Sequence, residues 1–347
     1  MELQVYQFDL ALRYPFTISR HTYDSIQSFI IELIYENISG FGEATTNPYY
    51  QVTTDNLLDA FSDIRELLET YPFKTPEQLW EYVSPHLDNN YFALSAIDCA
   101  AHDLYGKLRG QSFSYQYGIN YSKYPFTSYT LGISTLNEIK KKLKELSWPI
   151  YKVKLGSKND IDIIKHVRTF TNAIIRVDAN CAWSLNEAIE KVEKMQKLDV
   201  EFIEQPLKTD LWEEMKILRK NSQIPMIADE SCAREEDVDK CFGYFDGVNV
   251  KLAKCGGLTP ALRMIEKARR SGMKVMIGCM TESTVGITAA AQLLPLVDYA
   301  DLDGPLLLKE DVATGVKYKN GHLKLKNRYG LGFDFKYEKF KVDMINQ

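Results

Sequence analysis

From about Tyr124 onward the chain repeats one pattern: a short apolar run ending in polar or charged residues, followed by an amphipathic stretch. Eight such runs succeed one another, at Thr127–Ile133, Tyr151–Gly156, Ala173–Asn180, Val200–Pro206, Ile224–Glu230, Asp246–Leu252, Met273–Cys279 and Tyr299–Pro305. From Lys152 through Asp178, Glu204 and Asp229 to Lys251 the steps are 26, 26, 25 and 22 residues, about the length of one strand, one helix and two loops. The intervening stretches read as helices; after the third run, Ser184 and Glu187 have the spacing of a capping box. Eight βα-like units in a row predict a closed parallel barrel of the TIM type. An open doubly wound sheet repeats the same units, so the order of the strands decides between the two.

At 347 residues the chain is longer than one compact core usually requires. The first third reads as a strand over Phe29–Glu36, a turn over Asn37–Gly42 and helices over 55–70 and 90–109, an order that suggests an α+β module. The tail beyond about 316 returns to alternating residues with turn glycines and is expected to leave the barrel and pack on the first module. The expected division is therefore a capping module over 1–123, a barrel over 124–315 and a C-terminal segment over 316–347.

A net charge of −5, with lysine and arginine scattered along the chain, argues against a nucleic-acid binder that relies on a basic face. No apolar stretch is long enough to span a bilayer, and the N-terminus lacks the pattern of a secretory signal, so no membrane partner is expected and the expected location is the cytoplasm. The six cysteines have no CxxC spacing and accompany only five histidines, which favours reduced, mostly buried thiols over a disulfide framework or a zinc site. Gly40–Phe41–Gly42 lacks the third glycine and following helix of a dinucleotide loop.

In a parallel barrel the functional side chains gather at the C-terminal ends of the strands, and alternate residues of a strand share a face. The run ends then bring Lys152 and Lys154, Asp178, Glu204, Asp229, Lys251, and Asp301 with Asp303 to one mouth. Three carboxylates on successive strands repel one another unless a cation neutralises them, and oxygen ligands without histidine or cysteine point to Mg²⁺, with Mn²⁺ as a substitute. Lys154 falls on the second strand and Lys251 on the sixth, on opposite sides of that trio. Two amines flanking a divalent cation suit removal of a proton from carbon by one and its return on the other face by the other. The basic amine must be neutral, and a neighbouring ammonium, the metal and burial would each lower its pKa.

The segments Phe41–Thr45 (FGEAT), Tyr151–Gly156 (YKVKLG), Arg176–Asn180 (RVDAN), Phe202–Pro206 (FIEQP), Ala228–Ser231 (ADES), Val248–Leu258 (VNVKLAKCGGL), Gly278–Ser283 (GCMTES) and Asp301–Leu308 (DLDGPLLL) together resemble the muconate-lactonizing subgroup of the enolase superfamily, and within it the dipeptide epimerases. The resemblance covers nearly the whole chain. It implies a modified TIM barrel of (β/α)7β type with an N-terminal α+β capping domain completed by the C-terminal tail. It further implies Asp178, Glu204 and Asp229 as Mg²⁺ ligands, Lys154 and Lys251 as the acid/base pair, Lys152 as their electrostatic support, and Asp301 and Asp303 as the ammonium site, two acceptor carboxylates expected on one strand face. Thr130, Cys279 and Met280 are further candidates for the pocket lining. Loops near Phe16–Asp24 and Thr45–Gln51 would close over the mouth and select the substrate side chain, and Arg20 or its neighbour is placed to meet a distal carboxylate. The implied activity is inversion of the α-carbon of the C-terminal residue in Ala-Glu or a related Ala-Xaa dipeptide, as in the metabolism of peptidoglycan peptides, by a chain that can form homo-oligomers. Within the same fold, o-succinylbenzoate synthesis, cycloisomerisation and N-acylamino acid racemisation are the alternatives; from another class, a non-catalytic binding barrel is.

Overall fold

The computed structural model describes residues 1–87 and 89–336. The chain opens with three antiparallel strands, β1 (Glu2–Thr17), β2 (Thr22–Tyr35) and β3 (Ile38–Thr45), paired in the order β1-β2-β3. Three helices follow: α1 (Thr54–Thr70), α2 (Pro76–Val83) and α3 (Tyr91–Arg109). Thr53 caps α1 with a reciprocal bond to Asn56; Asn90 caps α3, which ends at Gly110 in the left-handed region. The expected turn over Asn37–Gly42 is shorter than its composition suggested. Glu36 and Asn37, both at positive φ, make the whole hairpin turn, and Gly40 and Gly42 lie inside β3. Close packing explains those glycines: a Cβ on Gly42 would fall 1.9 Å from Ala96 O of α3, and one on Gly40 2.2 Å from Ala100 O. Phe29, Ile31 and Leu33 of β2 form the core of this unit with Leu57, Phe61 and Ile64 of α1 and with Ala93 and Ile97 of α3.

Eight parallel strands follow: β4 (Tyr129–Leu131), β5 (Ile150–Lys154), β6 (Ile174–Asp178), β7 (Val200–Glu204), β8 (Met226–Ala228), β9 (Gly247–Val250), β10 (Lys274–Gly278) and β11 (Tyr299–Asp301). Each pairs with the next in chain order, without the reversal that defines a doubly wound sheet. A parallel bridge between Thr127 and Ala300, with Ser128 N donating to Ala300 O, brings β11 back beside β4, so the sheet is a nearly closed barrel. The connections are unequal. Between β8 and β9 the helix is only Asp237–Cys241, and after β11 only Gly304–Leu307, in keeping with a (β/α)7β barrel. Odd and even positions separate cleanly. Tyr151 and Val153 face the outer helices, whereas Phe202, Ile227, Met276 and Tyr299 cluster together on the inner face, with Arg176 over the Phe202 and Tyr299 rings. An apolar floor of this kind leaves the strand ends above it to carry the polar residues.

The C-terminal segment touches both units. Phe335 packs on Tyr6, Phe8 and Phe41, whereas Tyr318 donates to Leu302 O at 2.7 Å and Thr127 N to Gly321 O at 2.9 Å. Residues 337–347 of the expected C-terminal segment lie outside the described residues. Among the described residues no helix is long and apolar enough to cross a membrane, and the six cysteines are free thiols, four of them buried.

Candidate active site

A cavity of about 330 Å³ opens where the barrel mouth meets the first unit. Thr130, Lys152, Lys154, Asp229, Lys251, Cys279, Met280, Asp301 and Asp303 line it from the barrel, and Arg20 from the β1–β2 hairpin loop. Asp178 and Glu204 are fully buried and share the ion pairs of Lys152, so all twelve residues singled out from the sequence converge here. The strand register produces this. Lys154 pairs with Asp178 and Asp178 with Glu204, so three strands present their last inward residue at one level.

One oxygen each from Asp178, Glu204 and Asp229 lies within 4.8 Å of the others. Lys152 reaches into this group, 3.0 Å from Asp178, 2.8 Å from Glu204 and 2.8 Å from Asp301. Burial alone would lower the Lys152 pKa, but those carboxylates outweigh it and raise it well above the ordinary value. Lys154 contacts Asp178 at 2.6 Å, and across the barrel Lys251 contacts Asp229 at 2.8 Å. Burial opposes the charge on Lys251, yet Asp229 raises its pKa, so in this arrangement Lys251 holds its proton; the lowered pKa expected of a base is not what its carboxylate partner produces.

The three carboxylates differ. Burial works against ionisation of each, but Lys154 and Lys152 depress Asp178, and Lys251 with Lys254 depress Asp229. Glu204 is pushed up to about 7 by burial and by the charge on Asp178. Its Oε1 accepts from Asn249 at 2.8 Å; its Oε2 sits near Lys152 without making a hydrogen bond. A buried carboxylate oxygen left in this state, beside two others, fits a hard divalent cation.

The Asp301/Asp303 pair departs from expectation. β11 ends at Asp301, so Asp303 is not on the same strand face but stands past it, at the start of the short helix. Asp301 is engaged by Lys152 and by Ser128 Oγ at 2.5 Å, whereas Asp303 accepts Thr130 N at 2.6 Å and is pushed up to about 7 by burial and the charge on Asp301. Arg20 also has a partner. It contacts Glu230 at 2.6 Å, donates to Asn180 O at 3.1 Å and lies 3.9 Å above the Tyr49 ring.

Several residues of the site were not singled out from the sequence. Lys254 Nζ is completely enclosed and donates to Asp229 Oδ1 at 2.7 Å, Asp229 O at 2.6 Å, Cys232 O at 2.9 Å and Asn249 O at 3.1 Å. Gln205, at positive φ, accepts from the Asp229 and Ser231 amides at 3.0 and 3.1 Å. Glu230 and Asn180 stand one and two residues after Asp229 and Asp178, and Lys254 one helical turn after Lys251. That adjacency was the available signal.

The family models of the mandelate racemase / muconate lactonizing enzyme N-terminal domain and the enolase C-terminal domain-like region match residues 1–116 and 135–339. The L-Ala-D/L-amino acid epimerase of Flavobacterium johnsoniae is 49% identical over 96% of this chain and 99% of its own. The L-Ala-D/L-Glu epimerase of Bacteroides thetaiotaomicron is 35% identical over 96% of this chain and 87% of its own. Among solved structures, the dipeptide epimerase from Cytophaga hutchinsonii, complexed with Mg and the dipeptide D-Ala-L-Val, superposes with a TM-score of 0.91 at 26% identity, covering 99% of this chain and 98% of that one. The chain belongs to the mandelate racemase / muconate lactonizing enzyme family of the enolase superfamily.

Proposed function

We propose that this protein is a Mg²⁺-dependent dipeptide epimerase that inverts the α-carbon of the C-terminal residue of Ala-Xaa dipeptides. The observation that carries the reading is the placement of two buried lysines, Lys154 and Lys251, on strands four apart in an eight-stranded barrel, with Asp178, Glu204 and Asp229 between them. One amine removes the α-proton and the other delivers a proton to the opposite face; in the reverse direction the roles exchange. Asp178, Glu204 and Asp229 are the residues to hold the ion. Once bound, a divalent cation would supply positive charge against the developing enolate oxygens and take up carboxylate charge that otherwise holds Lys251 protonated. Lys152 holds Asp178, Glu204 and Asp301 in register, and Asp303 is the carboxylate left to accept a dipeptide's ammonium group.

The state of Arg20 bears on the side chain. Its guanidinium is already paired with Glu230 and covered by Tyr49, so a substrate glutamate would have to displace a buried carboxylate. Phe16, Ile18, Tyr23 and Ile26 complete that side of the cavity. This favours Ala-Xaa dipeptides with uncharged side chains over Ala-Glu. Incubation of the enzyme with Mg²⁺ in D₂O, first with L-Ala-L-Val and then with L-Ala-L-Glu, tests the proposal through the α-proton signal in NMR. Exchange with inversion is expected, and Lys251→Ala should lower the inversion rate by at least about a hundredfold. Absence of exchange with any Ala-Xaa dipeptide would overturn the activity, and unimpaired inversion in Lys251→Ala would overturn the two-base scheme.

A further inference from the structure

Glu43 lies on β3, yet its buried carboxylate takes all but one of its hydrogen bonds from the barrel. Oε1 accepts from Ser28 Oγ at 2.7 Å and from Ser283 N at 2.9 Å. Oε2 accepts from Ser283 Oγ at 2.6 Å, from Gly286 N at 2.8 Å and from the Ser283 amide at 3.1 Å. Ser283 caps the barrel helix Thr284–Ala291, so Glu43 places a carboxylate from the first unit at the N-terminus of a helix in the second. The segment just before that helix, Cys279–Thr281, is one wall of the substrate cavity.

Two neighbours extend the grip. Glu282 is fully buried; burial and the charge of Glu43 push its carboxyl up to about 8, and it accepts Met280 N at 3.0 Å, tying the cavity wall to the same spot. The two carboxyls meet over Gly286, where a Cβ would fall 2.7 Å from Glu282 Oε1 and 3.1 Å from Glu43 Oε2. A Cβ on Gly304 would fall 2.4 Å from Glu282 O, so the corner that follows Asp303 rests on the same segment.

We propose that Glu43 is a positioning residue through which the capping unit sets the wall Cys279–Thr281 of the substrate cavity and, through Glu282, the corner that carries Asp303. Four donors from two units converge on one carboxylate, more than a strand residue needs in order to hold a hairpin together. The kinetic part of the test rests on the epimerase reading; the exchange part does not. In Glu43→Gln the amide group opposes an N–H donor, and hydrogen–deuterium exchange of the amides over 279–286 is expected to accelerate while that of β2 stays unchanged. The KM for L-Ala-L-Val is expected to rise about tenfold with kcat within about twofold. Ser28→Ala removes one of the four donors, at 2.7 Å, and should shift both readouts the same way by less, which serves if the Gln variant does not fold. Faster exchange without dipeptide turnover by the wild type would support the strut and overturn the substrate. A folded variant with unchanged exchange over 279–286 would overturn the strut itself, as would a fall in melting temperature with KM unchanged.

Discussion

Asp229 is held by two lysines with different tasks. Lys251 contacts its Oδ2 from the cavity side, where a substrate carbon would stand, and Lys254 contacts its Oδ1 from within the protein. An enclosed ammonium with four acceptors is tolerated because every proton is used, and it fixes the carboxylate's rotamer before any ion arrives. Asn249 does the same for Glu204 from one side, at 2.8 Å. In Lys254→Met the four acceptors lose their donor, and Mg²⁺ affinity measured by titration calorimetry should weaken by about 10- to 100-fold. Unchanged affinity would mean that Asp229 is oriented by Lys251 and Gln205 alone. Lys254 was legible in the sequence only as one more lysine near a glycine pair; its burial, which separates it from a solvated neighbour, is a property of the packed barrel.

At the scale of elements, α3 is the beam between the two units. Its Asp98 accepts Thr259 N at 2.9 Å and Thr259 Oγ at 2.7 Å at the start of the barrel helix Leu258–Arg270, and His102 Nε2 lies 3.0 Å from the same Oγ. Gly257, with φ 116°, is required there because a Cβ would fall 2.3 Å from Asp98 Oδ2. Burial raises the Asp98 pKa from 3.8 to about 7 and lowers that of His102 from 6.5 to about 4. Folded Asp98 binds its proton more tightly than unfolded, so its contribution is present below 3.8 and is lost as pH rises through about 7. Folded His102 binds its proton less tightly, so its contribution is present above 6.5 and is lost as pH falls through about 4. The two slopes oppose each other in the shared interval. Asp98→Asn leaves the histidine slope unopposed, and the variant's stability relative to wild type should rise from pH 4 to 6.5 by up to about 1.4 kcal/mol per pH unit in denaturant titrations. A difference independent of pH would contradict this. Helix α3 itself was legible from its apolar spacing, as was α1. The strand character of Gly40 and Gly42 was not, because composition marks glycine as a turn residue and only the approach of α3 shows why it stands in a strand.

At the scale of the molecule, the site belongs to neither unit alone: Arg20, Tyr49 and Tyr50 come from the first, the lysines and carboxylates from the second. The barrel brings Asp178, Glu204 and Asp229 together at a cost in mutual repulsion that an ion would relieve. Mg²⁺ at about a hundredfold excess over its dissociation constant should therefore stabilise the fold by about 2.7 kcal/mol, seen as a rise of several degrees in melting temperature that chelator reverses. Asp229→Asn should abolish the rise. A melting temperature indifferent to Mg²⁺ in the wild type would remove the trio as the metal site.

The sequence by itself determined the succession of βα units, the alternation that turns Lys152, Lys154, Asp178, Glu204 and Lys251 inward, and the family, because strand parity and unit spacing are local properties of the chain; that each strand pairs with the next was settled by the fold. Only the tertiary structure decided how those charges are shared. Lys152 takes Asp301 as well as the central carboxylates, Asp303 falls past its strand, Lys254 takes the far side of Asp229, and Arg20 meets a glutamate 210 residues away. Charge interactions depend on ångström distances and on burial, and neither is written in the spacing of residues along a chain.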